Sequence, residues 1–403
     1  MLWMSGGPSQ MDTFDLKPGH ENGGPFKAID TAAAGVKISE HLPKLAREMN
    51  DVAVIRSMST KEGDHGRATF NLRTGYLPQG PIQYPTLGSL VAKELEPDDG
   101  ELPGFVSIAP YRFVSPGAYA PGFLGPQYAP LVVGEIDIAS LQAGTQGYGP
   151  NLKVDDLERP EGVSLAQADA RLALLDGLEG EFVSRHAGVS AVTHRTAYAR
   201  AVRMMRSPAV RAFDLEREDP RLRDAYGRSS FGQGCLLARR LVQQGVPFVE
   251  VTLSGIPGQP GGLDWDTHQR NFESVRRLSE VLDSAWSTLL RDLRAHGLLD
   301  STLVVWMGEF GRTPKINPQG GRDHFPNAWT TVLSGGGIKG GQFVGRTSAD
   351  GSKVEERAVT VPDFLATVCQ ALGIDPRKQN MSDVGRPIRI VDPKAKPIAE
   401  LLA

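Results

Sequence analysis

The hydrophobic residues of this chain fall into two patterns. In the first they run unbroken. Val52 to Met58, Phe248 to Leu253, Thr302 to Met307 and Trp329 to Leu333 are rich in β-branched and aromatic residues and have no interior Gly or Pro. Such runs predict strands buried on both faces. Met1 to Ser5 reads as a first strand, and Pro387 to Val391 as a closing one. In the second pattern apolar residues return every three or four positions. Ile38 to Met49, Gly232 to Gln244, His268 to Arg294 and Val361 to Ile374 predict amphipathic helices. The longest of these carries Val275, Leu278, Val281, Leu282, Trp286, Leu289 and Leu290 on one side. The order strand, helix, strand at the start predicts a parallel sheet, so the expected class is α/β.

Two stretches interrupt this rhythm. Residues 80–150 are loop-rich and lid-like, punctuated by Gly and Pro around Gly104 to Ala109, and Tyr111, Arg112 and Tyr119 are candidate substrate contacts there. Residues 160–228 turn helical and read as an insertion, with His186 and His194 as surface or packing residues. No internal repeat is present, and residues 1–403 are expected to form a single domain carrying these two insertions.

Polar chemistry gathers where strands end. The run to Met307 stops at Gly308, Glu309 and Gly311, and Arg312, Asp323 and His324 follow within a loop. Ligands of open α/β sheets bind at that edge. Taken alone, Glu309 and Arg312 are equally accounted for as a loop ion pair. After the first strand, Gly6 and Gly7 let the backbone turn tightly and Asp12 and Asp15 follow, a spacing that also suits the first turn of a helix. After the second strand comes Asp64-His65-Gly66, with a helix expected from Gly66 to Gly75. After Leu253 a glycine-rich loop delivers Asp264, Trp265, Asp266, Thr267 and His268, the densest group of potential ligands. Any one of these loops is explained by a solvated turn. Together they offer mixed carboxylate and imidazole donors suited to zinc, or with more oxygen to manganese or iron, and they are numerous enough for two metals.

Charge narrows the partners. The net charge is −3, from 44 basic and 47 acidic residues with no long run of one sign, which gives no footprint for nucleic acid or an anionic membrane. No stretch approaches the roughly 20 apolar residues of a membrane span. Cys235 and Cys369 sit in apolar helical contexts and are expected as buried thiols without a disulfide. Leu2, Trp3 and Met4 already belong to a core strand, so no secretory signal is read, and so abrupt an opening predicts residues upstream of Met1.

Several motifs in order carry a resemblance: Leu2 to Asp15, Arg56-Ser57-Met58, Asp64-His65-Gly66, Trp265-Asp266-Thr267-His268, Gly308 to Pro314, Gly321-Arg322-Asp323-His324 and Gly385-Arg386-Pro387-Ile388. The chain resembles, over essentially its whole length, the domain-of-unknown-function 1501 family, which is sulfatase-like and placed with the alkaline phosphatase superfamily. That resemblance implies an alkaline phosphatase-like, doubly wound, mostly parallel sheet with helices on both faces and metal at the strand C-termini. It implies metal ligands at Asp12, Asp266, His268, Glu309 and His324, with Asp264 as an alternative to Asp266. Arg73-Thr74-Gly75 resembles the end of the sulfatase motif, which puts His65 where a nucleophilic Ser, Thr or Cys is expected. His65 is then a ligand, a nucleophile or a general base, and Ser57, Ser59, Thr60 and Thr69 are the neighbouring hydroxyls. Phe310 stands where a histidine is common. Arg312 and Arg67 are expected to neutralise an anionic group, and Asp323 to orient His324 or to join the ligands.

The function implied is a metal-dependent hydrolase of phosphate or sulfate esters, acting on a small-molecule or glycan ester with one or two divalent ions, zinc first and manganese, iron or calcium as alternatives. The other reading is a non-catalytic metal- or carbohydrate-binding scaffold on the same fold. Family relatives are commonly exported behind a twin-arginine signal, so export is expected if the N-terminus is truncated and a cytoplasmic location otherwise.

Overall fold

The computed structural model describes residues 1–97, 100–134, 152–154, 157, 161–185, 189–254 and 264–403. The buried runs become an eight-stranded sheet. Its strands are β1 (Leu2–Met4), β2 (Val52–Met58), β3 (Phe105–Ile108), β4 (Leu131–Val133), β5 (Phe248–Leu253), β6 (Leu303–Met307), β7 (Trp329–Gly335) and β8 (Gln342–Val344). They lie in the order β8-β2-β7-β6-β1-β5-β3-β4. β1 is central, with Leu2 opposite both Val251 and Trp306. Only β7 runs against its neighbours, antiparallel to β2 and β6.

Alternate residues of each strand feed two different cores. Leu2, Met4, Val251, Leu253, Val304 and Trp306 join Cys235, Leu282 and Trp286 on one face. Trp3, Phe105, Phe248, Val305 and Met307 join Leu90, Phe364 and Cys369 on the other. The first face is covered by α7 (Ser230–Gln243) and α8 (Asn271–Ala295), the second by α3 (Leu87–Leu95) and α9 (Val361–Ala371). A mostly parallel sheet with helices on both faces is therefore the observed fold, and covering both faces is what makes its strands read as continuous apolar runs. The remaining helices are α1 (Gln10–Thr13), α2 (His65–Thr74), α4 (Leu165–Arg185), α5 (Val189–Arg206) and α6 (Pro220–Tyr226). Cys235 and Cys369 are free, buried thiols.

One expectation is corrected. Residues 38–49 do not form a helix: Lys37–Ser39 pairs with Ala28–Asp30, and a 3-10 helix covers Leu45–Asp51. Pro43 lies between the two. Pro387–Arg389 pairs only with Gln379–Met381 and does not join the central sheet. The guanidinium of Arg239 is buried against Asp292 and Glu218. Within residues 80–150, α3 packs on the sheet, while 135–150 lie outside the described residues. His186 and the side chain of His194 lie outside them as well.

One charged group breaks the interior of β5. Glu250 is fully buried, and Arg73 near the end of α2 is ion-paired with it. Ser107 donates to the same carboxylate. Removing one partner of such a pair costs far more than the pair contributes. The pair therefore fixes α2, whose first residue is His65, against β5.

Candidate metal centre

β1, β2, β5 and β6 are mutually parallel, so their C-terminal ends share one edge of the sheet. Gly6 follows β1, His65 follows β2, Asp266 follows β5 and Glu309 follows β6. Close backbone approach draws these loops together. A Cβ on Gly308 would lie 2.5 Å from Pro8 and 2.8 Å from the Met4 carbonyl, and one on Gly321 would lie 1.9 Å from the His268 carbonyl. Asp64 caps α2 by accepting from the Arg67 amide at 2.9 Å, which sets His65 at the first turn. Gly311–Arg312 and His324–Phe325 pair as a short antiparallel ribbon, with His324 opposite Arg312.

The cluster centres on one oxygen, Asp266 Oδ1. The Nε2 atoms of His65, His268 and His324 stand 3.3, 3.1 and 3.2 Å from it. Arg312 Nη2 reaches it at 2.6 Å. The ligand atoms of His65, Asp266 and His324 all lie within 4.8 Å of one another. His268 Nε2 is 3.0 Å from His324 Nε2, and the His268 side chain is 42 % exposed against 12 % for His65.

Each imidazole is held from behind. His324 Nδ1 lies 2.7 Å from the Gly63 carbonyl, His65 Nδ1 2.6 Å from Glu309 Oε1, and His268 Nδ1 2.8 Å from Asp323 Oδ1. A carbonyl only accepts, so His324 donates from Nδ1 and, when neutral, turns a lone pair on Nε2 toward Asp266. Carboxylates favour the same tautomer in the other two rings. Glu309 is itself fixed by the Gly6 amide at 2.9 Å. Asp323 is within 3.3 Å of Asn317 Nδ2.

These groups fit a metal ion. Nitrogen ligands about 2.0–2.1 Å from a tetrahedral zinc stand about 3.3 Å apart, and oxygen-held distal nitrogens are what ligating histidines show. Among the three residues whose ligand atoms cluster, His65 Nε2 and His324 Nε2 lie 3.3 and 3.2 Å from Asp266 Oδ1, close to the spacing of ligand atoms around such an ion. His65 Nε2 and Glu309 Oε2 are buried with no hydrogen-bond partner, so the pocket holds unspent donor capacity. Without a metal the cluster compensates by charge. Burial opposes protonation of His65, but Asp266 and Glu309 outweigh it and push its pKa up to about 9. Burial likewise disfavours the Asp266 anion, yet His324, His65 and Arg312 hold that carboxyl far below its ordinary range.

Other sequence candidates lie elsewhere. Asp12 is fully buried in α1, where Arg322 Nε and Nη2 reach it at 2.7 and 3.1 Å, Asn271 Nδ2 at 2.8 Å and Ser9 Oγ at 2.5 Å. Its carboxylate is spent on those donors and does not enter the cluster. Glu309 faces His65, and Asp323 orients His268, not His324. Arg312 pairs with Asp266 in place of Glu309, and its guanidinium is fully buried with Nε on the Gly7 carbonyl and Nη2 on that of Gly6. Arg67 extends outward to Glu62. Phe310 is buried with its ring 4.9 Å from that of His65 and 4.6 Å from that of His324, wedging the two imidazoles apart from the core. Of the neighbouring hydroxyls, Ser57 donates to the Arg357 carbonyl. Sequence reasoning missed Gly63, Asn317 and Arg322; only Arg322 had a signal, as an unassigned cation inside the Gly321 to His324 motif.

A doubly wound, mostly parallel α/β sheet with its polar cluster at the strand C-termini is thus the class of this protein. The chain belongs to the family described as protein of unknown function (DUF1501), which matches residues 1–402. Among curated proteins none matches the chain. Solved structures similar to it include the lipoteichoic acid synthase LtaP from Listeria monocytogenes, at 11 % identity and TM-score 0.43, covering 97 % of this chain and 73 % of that one. The PsFucS1 sulfatase from Pseudoalteromonas sp. is similar at 13 % identity and TM-score 0.37, covering 83 % and 62 %. The phosphonate monoester hydrolase SpPMH from Silicibacter pomeroyi is similar at 14 % identity and TM-score 0.34, covering 89 % and 71 %.

Proposed function

We propose that the protein is a metal-dependent hydrolase of phosphate or sulfate esters, with His65, Asp266 and His324 holding the ion. The observation that carries this reading is the convergence of three imidazole Nε2 atoms on one carboxylate oxygen, each ring held through Nδ1 by an oxygen. Three lone pairs facing an anion repel it unless protons or a cation intervene. Their N/O donor set suits zinc, and a bound ion there would supply Lewis acidity toward an ester oxygen and lower the pKa of a water.

The chain's own groups divide the remaining work. Glu309 orients His65 and Gly63 orients His324, so both present Nε2 inward. Arg312 is too buried to meet a substrate directly, and it holds Asp266 ionised while adding a fixed positive charge behind the site. His268 is the most exposed of the three rings and is oriented by Asp323, which suits it to carry a proton between Nε2 and the reacting oxygen. In this reading the attacking group is water, activated at the ion.

Elemental mass spectrometry of the purified protein beside Asp266→Ala and His324→Ala, with aryl phosphate and aryl sulfate assays, tests the reading. Stoichiometric metal lost in both variants, with turnover by the wild type, is the expected result. Wild-type protein that stays metal-free after reconstitution overturns it.

A further inference from the structure

The loop after β3 carries a half-buried Tyr111 and an exposed Phe113 beside the start of α2, whose first residue is His65. β3 lies parallel beside β5, so its C-terminal end shares the edge from which Asp266 is delivered. Ala109 takes a left-handed φ of 50° and turns the chain at once. The segment is pinned over the start of α2: a Cβ on Gly66, the residue after His65, would lie 2.6 Å from the Val114 carbonyl. Phe113, with Tyr111 packed against it, therefore lies on the segment beside His65.

The two rings stand 5.5 Å apart at 58°, forming an open corner. Phe113 is 49 % exposed, the one exposed phenylalanine among the described residues. A bare aromatic face at the rim of a polar, cation-rich cleft is the kind of surface that a ligand covers. An ester whose anionic group lies at the cluster carries its alcohol outward past this rim. A linear alcohol would leave the corner wet, whereas the C–H face of a pyranose matches an aromatic plane while its hydroxyls keep their water.

We propose that Tyr111 and Phe113 form a stacking rim that selects esters of pyranose sugars over esters of acyclic alcohols. This rests on the reading of the cluster as an ester site. The test compares glucose 6-phosphate with glycerol 3-phosphate on the metal-loaded full chain, by calorimetry as Kd, or as KM where the ester is turned over. Wild type should favour the sugar phosphate by about tenfold, a ratio that one well-formed aromatic contact supplies. Phe113→Ala and Tyr111→Ala should bring the ratio close to one, through loss on the sugar side, with metal content equal to wild type. Equal affinity in the wild type, or a ratio unchanged in both variants, overturns the rim and leaves the ester reading standing. No response of the metal-loaded protein to either phosphate or to glucose 6-sulfate overturns both.

Discussion

Asp12 and Asp266 are acids of the same kind on loops of the same sheet edge, and their partners separate them. Asp12 meets a two-toothed guanidinium, an amide and a hydroxyl, none of which belongs to the cluster. Asp266 meets three rings whose own protons point away. Asp12→Asn should therefore keep the metal content of the wild type while losing about 3 kcal/mol, because Arg322 is left buried without its counter-charge. Denaturant midpoints and elemental analysis read the two effects separately, and loss of metal in this variant would put Asp12 back among the ligands. The residue types of the centre were legible in the chain, since His65, Asp266, His268, Glu309 and His324 all stand just beyond predicted strands. Their division of labour was not. Arg322 is 310 positions from Asp12 and Glu309 is 244 from His65, and spacing along the chain does not report which of two distant groups will face a carboxylate.

At the scale of elements, burial was easier to read than backbone. Ile38, Leu42, Leu45, Ala46 and Met49 are all buried, as a helical stripe would require, yet they sit on a strand, a turn and a 3-10 segment. A mixed set of apolar spacings satisfies more than one backbone, and Pro43 was the signal that should have divided them. Arg239 and Arg240 on α7 were hidden for a different reason: their anions lie on other elements. Glu218, before α6, takes both guanidiniums, and Asp292 on α8 takes Arg239 again. Burial opposes ionisation of Glu218, but Arg240 and Arg239 prevail and lower its pKa below 4.5. A lowered acid contributes stability that is present above its unfolded pKa and is lost as pH falls through the folded one. Glu218→Gln should thus be less stable than wild type at pH 7 and lose less between about pH 5 and pH 3. Urea midpoints across that window check this, and parallel curves for the two proteins would refute it.

Over the whole molecule, stability is unevenly spread. The sheet is sealed on both faces, while α4 is exposed along most of its length, with Leu165, Leu174 and Leu178 more than half exposed. Its amides are protected by the helix's own hydrogen bonds and little else. Hydrogen exchange should find α4 opening far faster than β1 or β6. Equal protection would mean that another surface covers it. The central position of β1 has a further consequence, for how the molecule is made. Leu2 is laid down long before its neighbours Val251 and Trp306 leave the ribosome. Until they do, the nascent chain carries the middle of its sheet without flanks, an apolar strand with both edges unsatisfied. Glu309 cannot reach the Gly6 amide or His65 before then either. The cluster thereby assembles only once the segment carrying Glu309 and His324 has been made, and a chain interrupted before it has Asp266 and His65 without the groups that orient and enclose them.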